Sequence, residues 1–194
     1  MKSDRTRNML LEVASKMFAR YSFHKTTIDE IARASRKAKG TVYYHFTDKE
    51  DLFKAVISEE LQVVKNGLLE ILNNPDLIPP EKVKAYLLKR LELLSHAVNY
   101  QSTLATEFIE QYEFVEDIRQ DYHKWEGTNI KKMISVGIDE NYFGKTDNLD
   151  VLIDVFVLVL KVLEGPLLEK DKYQALIPHF DSMMNIMIRG ISKS

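Results

Sequence analysis

The chain has 194 residues, and 45% of them are hydrophobic, which is enough for a sizeable core in one domain or in a small domain attached to a larger one. It contains no Cys, and this excludes disulfide bonds, thiolate metal ligands and a cysteine nucleophile. Residues 1–50 hold eleven Lys/Arg against six Asp/Glu, so they carry +5, while the net charge of the whole chain is −2. A basic end on an acidic body favours contact of that end with a polyanion, with a chance asymmetry as the alternative.

The first residues of the chain lead into an amphipathic segment and contain no apolar signal-peptide core, so we expect a cytoplasmic protein. Apolar residues recur with a period of 3.6 from end to end, whereas strand-like alternation is absent and Gly and Pro are scarce. This pattern predicts an all-α protein of about nine helices. The first helix is predicted over residues 6–21, where the apolar residues form a single stripe.

Two capping signals bracket the next twenty residues. Thr27 and Glu30 have the spacing of a capping box, in which each side chain bonds the backbone N–H of the other residue. Thr47 and Glu50 have the same spacing and predict the start of a long helix that runs toward Leu72. Only two short helices fit between residue 27 and residue 47.

Prolines interrupt the helical pattern after the long helix, so we predict a loop over residues 73–80. A second loop is predicted over residues 141–148. Further helices are predicted over residues 81–98, 102–111, 113–137, 149–168 and 173–192.

The segment Leu149–Leu163 is apolar almost all round, yet at about fifteen residues it is shorter than the roughly twenty that a membrane span needs. The helix after it again has a wide apolar stripe, and two such helices expose more apolar surface than one neighbour can cover. We therefore predict a four-helix interface with a second copy, with an ordinary monomer core as the alternative. The residues expected in this homodimer interface are Leu152, Val155, Phe156, Val159, Phe180, Met184, Met187 and Ile188.

Residues 26–53 have the layout of a helix-turn-helix unit: a short helix, a tight turn, a second short helix and then a capped long helix. The second short helix of such a unit enters the major groove of DNA. The expected small core comprises Ile28, Ile31, Ala32, Val42, Tyr43, Phe46, Leu52 and Phe53. The residues expected to face outward are Lys39, Gly40, Thr41, Tyr44, His45 and Lys49.

This segment resembles the N-terminal domain of the TetR family of bacterial regulators. The residues that match the family pattern are Thr27, Ile31, Ala32, Gly40, Thr41, Val42, Tyr43, His45, Phe46, Asp48, Lys49, Glu50 and Leu52. The resemblance covers about residues 5–60, and the rest of the chain agrees only in length and helical character. It implies a three-helix DNA-binding domain over residues 1–50, a fourth helix from about residue 48 that bridges the domains, and a helical effector-binding and dimerisation domain over residues 51–194.

The resemblance also assigns roles on DNA. Thr27, Tyr44, His45 and Lys49 would hold phosphates, which helix N-termini and Lys, Tyr and His donors attract on physical grounds as well. Lys39 could donate to guanine, Gly40 would allow close backbone approach, and Thr41 would touch a base edge. For Tyr43 two roles remain open, a core residue or a phosphate ligand.

The turn departs from the family pattern, because Arg36-Lys37-Ala38 stands where the family usually has Gly-Val-Ser. Arg36 would take a left-handed position at a cost of roughly 1 kcal/mol, and Ala38 lacks an N-cap hydroxyl at a cost of about another 1 kcal/mol. We expect a turn that is looser than usual or partly rebuilt. Arg36 and Lys37 add positive charge beside the DNA, so we expect them to contribute to tighter non-specific binding with a steep salt dependence.

Aromatic residues with nearby carboxylates could form an effector pocket for an apolar or cationic compound, although a plain helical core is the alternative for each residue. The candidates are His96, Tyr100, Phe108, Tyr112, Tyr122 and Trp125. The five His show no ligand spacing, so no metal is expected, and no cofactor is expected either.

The function predicted from these patterns is a repressor that a small-molecule effector releases from a palindromic DNA operator. The alternative is a helical regulator controlled by a protein partner. An enzyme is not expected, because the sequence has no phosphate-binding loop, nucleophile elbow or zinc-protease motif. No membrane partner is expected.

Overall fold

The computed structural model describes residues 2–104 and 112–168, together with the single positions 175, 179, 182, 183, 185, 186 and 188. These residues contain eight α-helices and no strand, which confirms the all-α prediction. No helix in this part of the chain is long and apolar enough to cross a membrane. The helices are α1 (Lys2–Tyr21), α2 (Ile28–Ala34), α3 (Lys39–His45), α4 (Lys49–Leu72), α5 (Pro79–His96), α6 (Val98–Ser102), α7 (Glu116–Asp139) and α8 (Leu149–Leu168).

Two predicted helix bounds are wrong. α5 begins at Pro79, which the pattern had placed in the loop, because the first position of a helix needs no N–H donor. A helix was predicted to begin at residue 102, but α6 ends at Ser102 and Thr103 is its C-cap. Residues 105–111, and most of the predicted helix over residues 173–192, lie outside the described residues.

The chain divides into two compact units. The first comprises residues 1–62 and 97–118, and the second comprises residues 63–96 and 119–194. In the first unit α1 packs on α2 and α6, and α2 packs on α3. Its core contains part of the predicted apolar stripe of α1, whose last residue, Tyr21, is exposed, and most of the predicted helix-turn-helix core. The buried side chains include Leu10, Ala14, Phe18, Ile31, Val42, Phe46, Leu52 and Phe53.

The second unit packs α5 against α8 and contains most of α7. Leu68, Leu94 and Ile130 are buried in its core. At Gly137 on α7 a Cβ atom would overlap the ring of Phe143, so only glycine fits this close approach. The helix ends at Asp139, and Asn141 just beyond it has a left-handed φ of 63°.

Candidate nucleic-acid interface

The N-terminus of α2 is closed by the predicted capping box. The Glu30 N–H donates to Thr27 Oγ1 at 3.3 Å, and Glu30 Oε2 accepts the Thr27 N–H at 2.9 Å and the Thr27 hydroxyl at 2.8 Å. These hydrogen bonds from Thr27 lower the pKa of the Glu30 carboxyl. Thr27 therefore stands exposed at a helix N-terminus with its orientation fixed by its own helix.

The second predicted capping box is wrong by one residue. α4 begins at Lys49, and its cap is Asp48, whose Oδ1 accepts the Asp51 N–H at 2.8 Å. Asp51 Oδ2 in turn accepts the Thr47 N–H at 2.8 Å. Glu50 has no part in this box, because the aspartates at 48 and 51 have the same three-residue spacing and the shorter side chains reach the backbone donors.

The turn between α2 and α3 keeps the regular geometry of a helix C-cap in spite of its unusual residues. The Arg36 N–H donates to Arg33 O at 3.1 Å and the Lys37 N–H to Ala32 O at 2.9 Å, the two bonds of a Schellman motif. Arg36 has φ 53°, which confirms the left-handed position predicted for it. The expectation of a looser or rebuilt turn is therefore wrong, since the hydrogen bonds hold the motif closed against the strain at Arg36.

α3 begins without a side-chain cap. Its N-cap is Ala38, which has extended dihedral angles of φ −70° and ψ 147° and no side-chain hydrogen bond, as the sequence predicted.

α3 also shows a clear division of faces. Val42 is completely buried, whereas Tyr44 is 78% exposed and Tyr43, which was predicted as part of the shared core, is 48% exposed. A Cβ at Gly40 would meet no atom within 4 Å, so the backbone there is open to close approach.

Lys39 is held by the neighbouring helix. Its Nζ lies 3.0 Å from Asp29 Oδ1 on α2 and 5.9 Å from the centre of the Tyr43 ring. The hydrogen bond to Asp29, together with its charge, raises the pKa of Lys39. The sequence did not single out Asp29, because its partner is ten residues away on another helix. Lys39 must exchange this carboxylate for any base it contacts.

Lys49 also has a partner within the chain. Its Nζ donates to Phe23 O at 3.0 Å and lies 4.2 Å from the centre of the Phe23 ring. The Lys49 ammonium thus ties the loop after α1 to the start of α4, in addition to any contact it makes with a phosphate. Thr41 and His45 are half-buried on α3, and Arg36 is exposed and Lys37 half-buried in the turn before it.

The described residues of the predicted effector pocket belong to different units. Tyr100 and Tyr112 are buried in the first unit, where Tyr112 lies in an aromatic cluster with Phe23 at 6.0 Å and Phe53 at 5.8 Å between ring centres. Phe108 lies outside the described residues.

In the second unit, His96 is exposed and its Nδ1 lies 2.7 Å from Glu92 O on its own helix. Tyr122 is completely buried, and its ring stacks on Trp125 at 6.2 Å. Tyr122 and Trp125 are thus the two described pocket candidates of this unit that contact each other.

A buried polar network in the second unit was not anticipated from the sequence. Arg90 on α5 donates from Nε to Glu126 Oε1 at 2.6 Å and from Nη2 to Glu126 Oε2 at 3.0 Å, and it also binds Glu164 on α8. The hydroxyls of Tyr86 and Tyr122 donate to Glu126 Oε1, each at 3.2 Å. Burial alone would raise the pKa of Glu126, but the Arg90 charge holds that pKa well below its usual range.

α8 has an apolar face that no described residue covers. Leu152 is 48% exposed, Val155 52% and Val159 46%, while Phe156 is half-buried. Ile188, also predicted for the dimer interface, is half-buried; Phe180, Met184 and Met187 lie outside the described residues. Exposed apolar side chains at this spacing form one continuous stripe along the helix.

Comparison with known proteins gives matches in both sequence and fold. A family model described as bacterial regulatory proteins of the tetR family matches residues 10–56. The repressor AcnR of Corynebacterium diphtheriae is 30% identical over 92 residues, which are 45% of this chain and 47% of AcnR. The regulator AcrR of Shigella flexneri is 38% identical over 66 residues, 34% of this chain and 30% of AcrR.

The chain thus spans about half the length, or less, of these curated relatives. Among solved structures, a transcriptional regulator from Cytophaga hutchinsonii has a TM-score of 0.78 at 24% identity and covers 96% of this chain and 98% of its own. The family-model match lies in the N-terminal part that contains the helix-turn-helix, and the likeness in fold extends over nearly the whole chain.

Proposed function

Since the chain belongs to the TetR family of bacterial regulatory proteins, we propose that it is a transcriptional repressor that binds operator DNA through α3. The observation that carries the proposal is the division of faces on α3. One face is anchored by buried Val42, and the other presents exposed Tyr43 and Tyr44 beside an open backbone at Gly40. A short helix that is anchored on one side and open on the other can lie in the major groove.

The residues around α3 supply the chemistry for this contact. Tyr44 and His45 at the end of α3 offer hydroxyl and imidazole donors for phosphate oxygens. The Thr27 hydroxyl at the start of α2 donates to Glu30 and must exchange this carboxylate for a phosphate. Lys39, Gly40 and Thr41 occupy the first turn of α3, where side chains of a recognition helix reach base edges. Arg36 and Lys37 add positive charge in the preceding turn, and Lys49 adds it at the start of α4.

We propose that two copies pair through α8, so that the two α3 helices read a palindromic site. The uncovered stripe that includes Leu152, Val155 and Val159 supports this occupant, because a second copy presents an identical stripe and a two-fold interface is self-complementary. We keep residues 1–50 as the proposed DNA-binding domain and residues 51–194 as the proposed dimerisation and effector domain. We also propose that the protein acts in the cytoplasm.

A small-molecule effector is the proposed signal. Trp125 offers a half-buried ring in the second unit, which stacks on the buried Tyr122, and Lys65 lies 5.6 Å from the centre of the Trp125 ring. An effector that binds more tightly to a conformation that cannot fit DNA would lower operator affinity. The loss equals the difference between the effector's binding free energies for the two conformations. If a protein partner controls the repressor instead, DNA binding will persist when small molecules are added.

The DNA-binding proposal is tested by selecting bound fragments from genomic DNA. We expect pseudo-palindromes with half-sites about 34 Å, or a multiple of this distance, apart. Tyr44→Ala should lower operator affinity more than about tenfold without changing the melting temperature, since Tyr44 is mostly exposed.

Tyr21→Ala is the matched control, because Tyr21 is a 47% exposed tyrosine at the end of α1 and should leave DNA binding unchanged. Recovery of fragments without dyad symmetry, or equal affinity of Tyr44→Ala and wild type, would contradict the proposal.

A further inference from the structure

His123 on α7 has a buried nitrogen that lacks a hydrogen-bond partner among the described residues. The residue is only 8% exposed, and its Nδ1 is unsatisfied. Glu126 Oε2, one helical turn along α7, lies 3.8 Å from this nitrogen, which is too long for a hydrogen bond. A buried polar atom without a partner is costly, so this nitrogen indicates that another group binds there.

Two buried carboxylates converge on the same point. Glu126 comes from α7 and Glu164 from α8, and one ligand-type atom from each of His123, Glu126 and Glu164 lies within 4.8 Å of the other two. An imidazole nitrogen with two carboxylate oxygens is a ligand set that zinc-class ions accept. Ligands bonded to zinc lie roughly 3.3 Å apart, so closing the set needs movements of about 1 Å by the side chains.

Neighbouring groups hold the carboxylates in place. Arg90 binds both glutamates, and the hydroxyls of Tyr86 and Tyr122 donate to Glu126 Oε1. Glu126 Oε2 accepts Arg90 Nη2 at 3.0 Å and lies 3.8 Å from His123 Nδ1. Outer partners of this kind orient metal ligands. A groove of about 820 Å³ between α7 and α8 is lined by His123, so one of the three candidate ligands borders the surface.

We propose that His123, Glu126 and Glu164 bind one divalent cation of the zinc class in the second unit. The ion accepts the lone pair of His123 Nδ1 and bridges α7 to α8, adding to the link that Arg90 already makes between these helices. The histidines of this sequence gave no sign of the site, because two of the three ligands are glutamates and one of these, Glu164, lies on a different helix from His123. The proposal does not depend on DNA binding.

The test uses the full-length chain after treatment with a chelator. Zn²⁺ is titrated by calorimetry, and Co²⁺ is followed by its visible absorption, which reports nitrogen and oxygen ligands directly. We expect one ion per chain in the wild type. His123→Ala should weaken binding at least about 100-fold, and Glu164→Gln should weaken it by at least tenfold, with folding of each variant checked by circular dichroism.

His96→Ala is the matched control, because His96 is an exposed histidine of the same unit and its loss should leave the affinity for Zn²⁺ unchanged. The proposal is overturned if the wild type binds neither ion, in which case a buried water satisfies His123. It is also overturned if His123→Ala and Glu164→Gln, both folded, bind Zn²⁺ as tightly as the wild type.

Discussion

Replacement of Arg36 by glycine should make the protein more stable, although it removes a side chain from a surface turn. Arg36 has φ 53°, a left-handed conformation that costs a residue with a Cβ about 1–2 kcal/mol. Glycine escapes that cost but loses about 0.5–1 kcal/mol more conformational entropy on folding. The difference predicts a gain of about 0.5–1 kcal/mol in the free energy of unfolding.

This gain is measurable by thermal unfolding. For a chain of 194 residues it corresponds to a rise of about 1–4 °C in the melting temperature. Urea unfolding should show a higher midpoint with an unchanged m-value. On DNA the same variant should show a salt dependence shallower by about one charge per chain, if Arg36 contacts a phosphate.

Arg33→Gly is the control for the Arg36 prediction. Arg33 lies in the last turn of α2, where the backbone is helical, so glycine there should lower the free energy of unfolding by about 1 kcal/mol. The two substitutions remove the same side chain three residues apart and should shift the melting temperature in opposite directions. If both variants are destabilised, strain at Arg36 is not what distinguishes this turn.

Three further changes test other parts of the structure. Ala38→Ser should raise the melting temperature by about 1–4 °C, because it supplies the missing side-chain cap of α3, and differential scanning calorimetry will detect the shift. Gly137→Ala should lower the urea midpoint markedly, since its Cβ would overlap the ring of Phe143; an unchanged midpoint would show that this approach is not close. Burial raises the pKa of Glu60 above its ordinary 4.5, so the folded chain binds this proton more tightly than the unfolded chain, and stability should fall as the pH rises above 4.5. Glu60→Gln should flatten that part of the stability profile measured by urea unfolding across pH, and an unaltered slope would contradict the assignment.

The helix-turn-helix was predictable because its determinants are local. The capping box at Thr27 joins residues three apart, and the left-handed residue at Arg36 is implied by the end of one helix and the start of another. The wrong cap predicted at Thr47 also comes from reliance on local spacing. Two boxes with equal spacing overlap there, and the choice of Asp48 as the cap depends on side-chain reach, which spacing alone does not encode.

The buried network could not be predicted, because its members are distant in the sequence. Arg90 bonds Glu126 and Glu164, which lie 36 and 74 residues away, and a charged residue on an amphipathic helix is ordinarily solvated. Tyr112 illustrates the converse problem. Its aromatic character suggested a ligand pocket, whereas its ring packs with Phe23 and Phe53 in the core of the first unit.

The apolar stripe on α8, which none of the described residues covers, has a consequence for any experiment on this protein. If association with a second copy hides that stripe, the free energy of association adds to the free energy of folding, and the measured melting point depends on how dilute the sample is. Comparisons between variants therefore need matched protein concentrations. Operator occupancy in a cell would then vary more steeply than linearly with the number of chains synthesised, because two must meet before either reads its half-site.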